Sequence, residues 1–227
     1  MSIHHPTQSL LMSSEVNLIH VTPKAEDLIV YMARVSNPSN QSNTMTGARL
    51  IRYLIDHKHM SPFEMVNMCV EINTTRSISS QIIRHRSFTF QEFSQRYANT
   101  NELGSAMVPS LRRQDTTNRQ NSIDDIGAEA KATFYRRIGQ LFADSEDLYQ
   151  EMVSCGIAKE SARDVLPLAS PTRLYMNGTL RSWLHYCQLR VANGTQQEHQ
   201  QIAFKVQMIL KREFPLVFDA FFSQMAT

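Results

Sequence analysis

From Val66 to Ile72 the chain alternates, with Val66, Met68, Val70 and Ile72 set against Asn67, Cys69 and Glu71. A period of two predicts a strand with one buried face. Glu15 to Val21 repeats the pattern more weakly, with Val16 and Leu18 in step and Ile19 out of it. Elsewhere the spacing is helical. Thr22-Pro23 offers a cap with proline at the first helical position. Ala25, Leu28, Ile29, Met32 and Ala33 follow, which predicts a helix over 23–35. A loop of Ser, Asn and Pro over 36–43 separates it from a second helix over 45–57, with Ala48, Ile51, Leu54 and Ile55 on one face. Thr74 is placed to cap a helix carrying Ile78, Ile82 and Ile83, which ends near Arg84-His85-Arg86.

Residues 87–122 lack helical periodicity and read as an extended segment followed by a long surface excursion. Ile126, Phe134, Ile138, Leu141, Leu148 and Met152 mark a long amphipathic helix over 123–153, with Gly156 as its stop. A short helix precedes Leu166-Pro167. Two more are predicted over 180–191 and 195–214, with Pro215 ending the second. No repeat, linker or low-complexity block interrupts the pattern. It predicts one helix-rich α+β domain over 15–227 behind a flexible, polar tail over 1–14.

Composition narrows the function. With 42% hydrophobic and 19% charged residues in 227, the chain suits a folded domain with a sizeable core. No apolar run approaches the roughly 20 residues a membrane-spanning helix needs. The net charge of +2 argues against bulk nucleic-acid binding. Cys69, Cys155 and Cys187 stand singly, which fits neither a disulfide framework nor a metal site and suits a reducing compartment, so the expected location is the cytoplasm.

The candidate chemistry is concentrated in Arg84-His85-Arg86-Ser87-Phe88-Thr89-Phe90-Gln91-Glu92-Phe93-Ser94-Gln95-Arg96. If this segment is extended, Glu92, Ser94 and Arg96 project to one side. A guanidinium, a hydroxyl and a carboxylate there could hold a phosphate and a sugar hydroxyl. An isolated Arg-His-Arg triplet is adequately explained as a solvated helix end. The interleaved Phe88, Phe90 and Phe93 weaken that explanation, because they pin the segment to a core. A second cluster follows Met176. On a helix, Trp183, Tyr186 and Arg190 share one stripe and Arg181 and His185 another. His59-x-Ser61-Pro62-Phe63-Glu64 has the form of a capping box but precedes a strand pattern, so a functional loop stays open there.

Together these pieces resemble the flavin-dependent thymidylate synthases. The signature of that family, Arg-His-Arg followed after seven residues by Ser, is matched by Arg84-His85-Arg86 and Ser94, with Glu92 and Arg96 in step. Ala33-Arg34-Val35-Ser36, the His59 to Glu64 motif, Gln81, Arg163 before Leu166-Pro167, Leu189-Arg190 and Gln196-x-Glu198 extend it in order over about residues 15–222. The resemblance implies a small, mostly antiparallel sheet in a helix-rich α+β domain. It implies conversion of dUMP to dTMP, with methylenetetrahydrofolate as carbon donor and FAD, reduced by NADPH, as hydride donor. It also implies a homotetramer with shared active sites. By position, Gln81, Arg84, Glu92, Ser94, Gln95, Arg96, Arg163 and Arg190 correspond to the dUMP site, with Arg190 activating the pyrimidine. Ser36, Ser61, Arg84, His85, Arg86, Glu92, Thr179, Arg181 and His185 correspond to the FAD site. Met65, Gln91, Gln95, Thr179 and Gly194 depart from residues common in the family.

Two other functions compete. One is a degenerate flavoprotein that only oxidises NADPH. The other is a single-stranded nucleic-acid module built on Arg84, Arg86, Arg96 and the phenylalanines between them.

Overall fold

Two long antiparallel neighbours form the centre of the fold: β2 (Asn67–Thr75) and β6 (Pro171–Thr179), paired along their whole length. In the computed structural model, residues 14–223 are described. Strands β1 (Glu15–Val21) and β3 (Thr89–Glu92) flank the central pair, giving an antiparallel sheet of order β1-β2-β6-β3. A small separate hairpin joins β4 (Arg113–Gln114) to β5 (Ser122–Ile123). The expected small antiparallel sheet in a helix-rich α+β fold is present.

The register explains the core. Met68, Val70 and Ile72 of β2 lie opposite Gly178, Met176 and Leu174 of β6, and all six are buried. Helices α6 (Leu180–Arg190), α7 (Gln197–Glu213) and α8 (Pro215–Phe222) contribute Trp183, Leu184, Val206, Leu210 and Val217 to the same core. Trp183 satisfies its indole N–H on the Met68 carbonyl at 3.0 Å. Helices α1 (Ala25–Ala33) and α2 (Gly47–Asp56) close another side with Ile29, Val30, Ile51, Leu54 and Ile55.

Several boundaries differ from expectation. Thr22 does not cap α1. Its hydroxyl accepts from the Asn67 amide at 2.9 Å and donates to the Asn67 carbonyl, so it closes the β1–β2 ladder, and the helix begins two residues after Pro23. Thr74 is still in β2 and bonds the Ser14 hydroxyl at 2.8 Å; α3 (Arg76–Ile82) starts after Thr75. Gly47, packed on Val30, takes the inward position expected for Ala48, which is exposed. The long helix α4 runs over Ala128–Ser154, because Ile123 is drawn into the hairpin opposite Arg113. Pro215 does not merely end α7: it opens α8. The sequence patterns did not reveal β6. Of the tail expected over 1–14, only Ser14 is described, and it is buried; the rest lies outside the described residues.

Two helix ends use the same C-terminal motif with different residues. After α4, Gly156 takes φ 85°, its N–H bonds the Val153 carbonyl, and the Ile157 N–H bonds that of Met152. After α2, Lys58 takes φ 58°, its N–H bonds the Ile55 carbonyl, and the His59 N–H bonds that of Leu54. Glycine occupies this conformation without a side-chain clash, whereas lysine is strained in it. Lys58→Gly is therefore expected to raise stability by roughly 0.5–1 kcal/mol, the relieved strain being partly offset by the greater entropy of the unfolded glycine. Denaturant unfolding would register this as a higher midpoint at an unchanged slope. Gly178 is the opposite case. A Cβ there would lie 2.4 Å from the Phe88 ring. Gly178→Ala should destabilise by roughly 1–3 kcal/mol, measured the same way.

Candidate active site

The Arg-His-Arg segment leaves α3 between two buried residues, Ile82 and Phe88. The His85 amide bonds the Ile82 carbonyl at 3.1 Å and the Phe88 amide bonds the His85 carbonyl at 3.2 Å, so the turn is fixed by its own backbone. Phe88 packs edge-on against Trp183, with centroids 4.6 Å apart. With both ends anchored, Arg84 and Arg86 project outward. They are exposed and have no hydrogen-bond or ion-pair partner among the described residues. His85 points inward. Its Nε2 accepts from Arg190 Nε at 2.9 Å, and its ring meets Tyr186 edge-on at 5.0 Å. Burial, then the charge of Arg190 and that of His185, push the His85 pKa down to about 4. His199 beneath it is fully buried, bonded to the Tyr186 hydroxyl at 3.1 Å, and pushed down to about 3 by burial, Arg190 and His85.

A cavity of about 820 Å³ opens beside this segment. Ser87, Arg181, Ser182, His185, Gln188, Glu64 and Lys58 provide polar groups, and Ile55, Met60, Leu184 and Phe221 apolar wall. As expected for positions i and i+4, Arg181 and His185 share one face of α6. Arg181 pairs with Glu64 across the opening. Ser61 begins the 3-10 turn Ser61–Glu64 that forms this rim. The residues fit FAD: an apolar wall suits the isoalloxazine ring, and unpaired arginines next in sequence to Ser87 suit a pyrophosphate. Thr179 is committed elsewhere, since its hydroxyl accepts from the Ser182 amide at 3.3 Å and caps α6. Ser36 is exposed in the loop after α1 and makes no hydrogen bond among the described residues.

The nucleotide set is not gathered in one place. Extension stops after Glu92, and Ser94 starts a turn closed by the Tyr97 amide on the Ser94 carbonyl at 3.1 Å. The common face expected for Glu92, Ser94 and Arg96 is therefore absent. Glu92 receives Ser79 at 2.5 Å and Thr172 at 2.9 Å and pairs with Arg76 at 2.7 Å. Arg96 pairs instead with Glu160 of α5 (Lys159–Ala162) at 3.1 Å, and Arg163 follows that helix. Gln95, next to Arg96 in the chain, is buried with its amide nitrogen unpartnered among the described residues, a donor available to a ligand. Gln81 lies in the other group, donating to Gln196 at 2.7 Å. Among the described residues no hydrogen bond, ion pair or ring contact joins Ser94, Arg96 or Arg163 to Gln81, His85 or Arg190.

The sequence reading missed Arg112. It donates to both oxygens of Glu198, at 2.7 and 2.9 Å, and to Gln197 at 2.7 Å, strapping the β4–β5 hairpin over the start of α7. Burial opposes the Glu198 charge, but the bonds from Arg112 outweigh it and hold the carboxyl below its usual range. Gln196 donates to the same carboxylate at 3.0 Å, so the strap reaches Gln81 through one side chain. The Gln196-x-Glu198 pair was a visible signal; its partner in the excursion over 98–122 was not.

The family model described as thymidylate synthase complementing protein matches residues 17–216. A probable flavin-dependent thymidylate synthase of Paramecium bursaria Chlorella virus 1 is 47% identical over 196 residues, covering 86% of this chain and 90% of the relative. The flavin-dependent thymidylate synthase of Synechocystis sp. is 46% identical over 192 residues, covering 85% of this chain and 87% of that one. The crystal structure of the UMP/dUMP methylase PolB from Streptomyces cacaoi, bound with 5-Br dUMP, superposes with a TM-score of 0.83 at 24% identity, covering 93% of this chain and 95% of that one, and shows the fold. The chain therefore belongs to the family of flavin-dependent thymidylate synthases.

Proposed function

We propose that this chain makes dTMP from dUMP with the residues assembled around Arg190, the observation that carries the reading being the guanidinium held by one edge with its two terminal nitrogens unpartnered among the described residues. Methylenetetrahydrofolate is the carbon donor and NADPH the reductant. Bound FAD supplies the hydride. Arg84, Arg86, Ser61, Arg181, His185 and the wall of the 820 Å³ cavity hold that cofactor. Ser36, Thr179 and Glu92 have weaker support, the last two because their polar groups are already engaged within the fold.

Arg190 presents two N–H donors to the N3/O2 edge of the pyrimidine. They stabilise the negative charge that develops on the ring and make C5 the nucleophile. Arg96 and Arg163 suit the phosphate, and the unpartnered Gln95 amide suits a phosphate or sugar oxygen. No protein nucleophile is needed. Burial pushes the thiols of Cys69 and Cys187 up, away from the reactive thiolate. Among the described residues the Ser94 hydroxyl accepts only from the Arg96 amide, at 3.4 Å, and bonds no base.

A shared site in a homotetramer is supported by two features. The nucleotide residues fall into two groups on one chain. In addition, α4 exposes Phe134, Leu141 and Leu148, at 52, 63 and 45%, along a stripe with a seven-residue period. A cytoplasmic location fits the unpaired cysteines and the lack, among the described residues, of a helix long and apolar enough to cross a membrane. The nucleic-acid reading is disfavoured because Phe88 is buried and cannot stack a base.

The decisive assay mixes purified, FAD-loaded protein with dUMP, methylenetetrahydrofolate and NADPH. Formation of dTMP is expected; flavin oxidation without dTMP would overturn the assignment. Arg190→Ala should lower kcat by roughly 100- to 1000-fold, in line with loss of an oxyanion donor, while FAD affinity by fluorescence titration stays within about threefold. Leu141→Glu should convert the tetramer to smaller species in light scattering. Mixed Arg96→Ala and Arg190→Ala chains should regain part of the lost activity, and failure to do so in mixed tetramers would count against sites shared between subunits.

A further inference from the structure

His85 belongs by resemblance to the flavin, yet its half-buried ring is turned onto Arg190. Its Nε2 stands 2.9 Å from Arg190 Nε. An arginine never gives up that proton, so Nε2 must be the acceptor and the imidazole must be neutral. The ring has little freedom. The Tyr186 ring meets it in an edge-to-face contact at 5.0 Å, and the Phe88 and His199 rings stand 6.3 Å away, each nearly perpendicular to it. The backbone that carries it is fixed by the Ile82 carbonyl. Consequently Arg190 is gripped at Nε while Nη1 and Nη2 have no partner among the described residues, the arrangement a two-donor fork needs to hold one orientation.

We propose that His85 is a positioning residue for Arg190, which its neutral imidazole aims at the pyrimidine, so that protonating His85 releases the guanidinium. The proposal rests on the reading of Arg190 given above. A protonated ring would offer Arg190 no lone pair and would place two cations in contact. The surroundings are arranged against that state. Arg190, His185 and Tyr186 face the ring from α6 and His199 from α7, and Arg84 and Arg86 flank it in the chain. No carboxylate bonds or pairs with it among the described residues. Tyr186 is kept neutral by burial, which pushes its pKa up, and His199 is kept neutral by burial, which pushes its pKa down. Burial likewise comes first among the causes that lower His85 to about 4. The sign follows: Arg190 stays held at neutral pH, and the hold is lost as pH falls through that value.

The experiment is a double-mutant cycle in the full, FAD-loaded protein, read by dTMP formation and separately by FAD fluorescence titration. His85→Leu, similar in bulk but unable to accept, should lower kcat by about 10- to 100-fold, with FAD affinity within about threefold of the parent. Added to Arg190→Ala it should cost less than about twofold more, because the group it positions is gone. His85→Gln, whose carboxamide oxygen can take the place of Nε2, should recover most of what His85→Leu loses and should abolish the acid limb of the kcat profile. It also serves if the leucine variant does not fold. Additive losses in the cycle would overturn the proposal, as would a fall in FAD affinity with kcat intact, or a glutamine variant that is folded yet no better than the leucine one. Unchanged kcat in Arg190→Ala alone would instead remove the reading of Arg190, so the two failures are distinguishable.

Discussion

The Phe88 ring lies against the backbone of Gly178, and the site depends on that approach. Its nearest atom is 2.4 Å from where a Cβ would be, so no other residue at 178 leaves room for the ring. Phe88 also packs on Trp183 at 4.6 Å, which ties it to the first turns of α6. With Phe88 fixed there, the segment before it must run back along α6. Ser87 meets Ser182, whose hydroxyl donates to the Ser87 carbonyl at 3.3 Å, and His85 reaches Arg190. A hydrophobic contact thus sets the direction of a cationic segment that, on charge alone, would turn to water.

Charge is handled differently at each depth. At the surface, Arg84 and Arg86 have no partner among the described residues, since water solvates them and a ligand can replace that water. One layer in, Arg190 is paired with a neutral acceptor and not with a carboxylate, so its positive charge is oriented without being neutralised. A carboxylate there would hold the guanidinium more tightly and would also cancel the field it offers a developing anion. Deeper still, Tyr186 and His199 are neutral and bonded to each other. Where a buried carboxylate does occur, at Glu198, it is fully answered by Arg112 in a two-toothed pair, as a charge removed from water requires.

Much of this was legible in the sequence, for identifiable reasons. The alternation of β2, the stop at Gly156 and the two stripes of α6 are local patterns, and all are present. The spaced Arg-His-Arg to Ser94 signature was legible as chemistry. What escaped was of two kinds. Some local signals were ambiguous: Leu174 and Met176 alternate with Arg173 and Tyr175 in β6 but were assigned to no element, and Pro215 can end one helix or open the next. Other features were long-range. Nothing near Arg112 announces a partner 86 positions away, and nothing near His85 announces one 105 positions away. The expected common face of Glu92, Ser94 and Arg96 failed at one residue, because strand alternation holds only while the chain stays extended, and the turn at Ser94 ends it.

The same limit shapes the last step. A helix of 27 residues that buries only Tyr149 is not stabilised by its own chain in the way α6 and α7 are. Isolated helices owe most of their stability to an apolar face packed against something, and α4 has such a face in Phe134, Leu141 and Leu148 with little of this chain against it. Between Leu141 and Leu148 in sequence, Ser145 donates to the Val165 carbonyl at 2.6 Å, which ties α4 to the turn that carries Arg163. A surface that packs on the stripe would therefore also brace Arg163, the arginine proposed for the phosphate. On the proposed shared site, this physical link would let assembly and substrate binding depend on each other, a second copy both covering the stripe of α4 and completing the divided set of nucleotide residues.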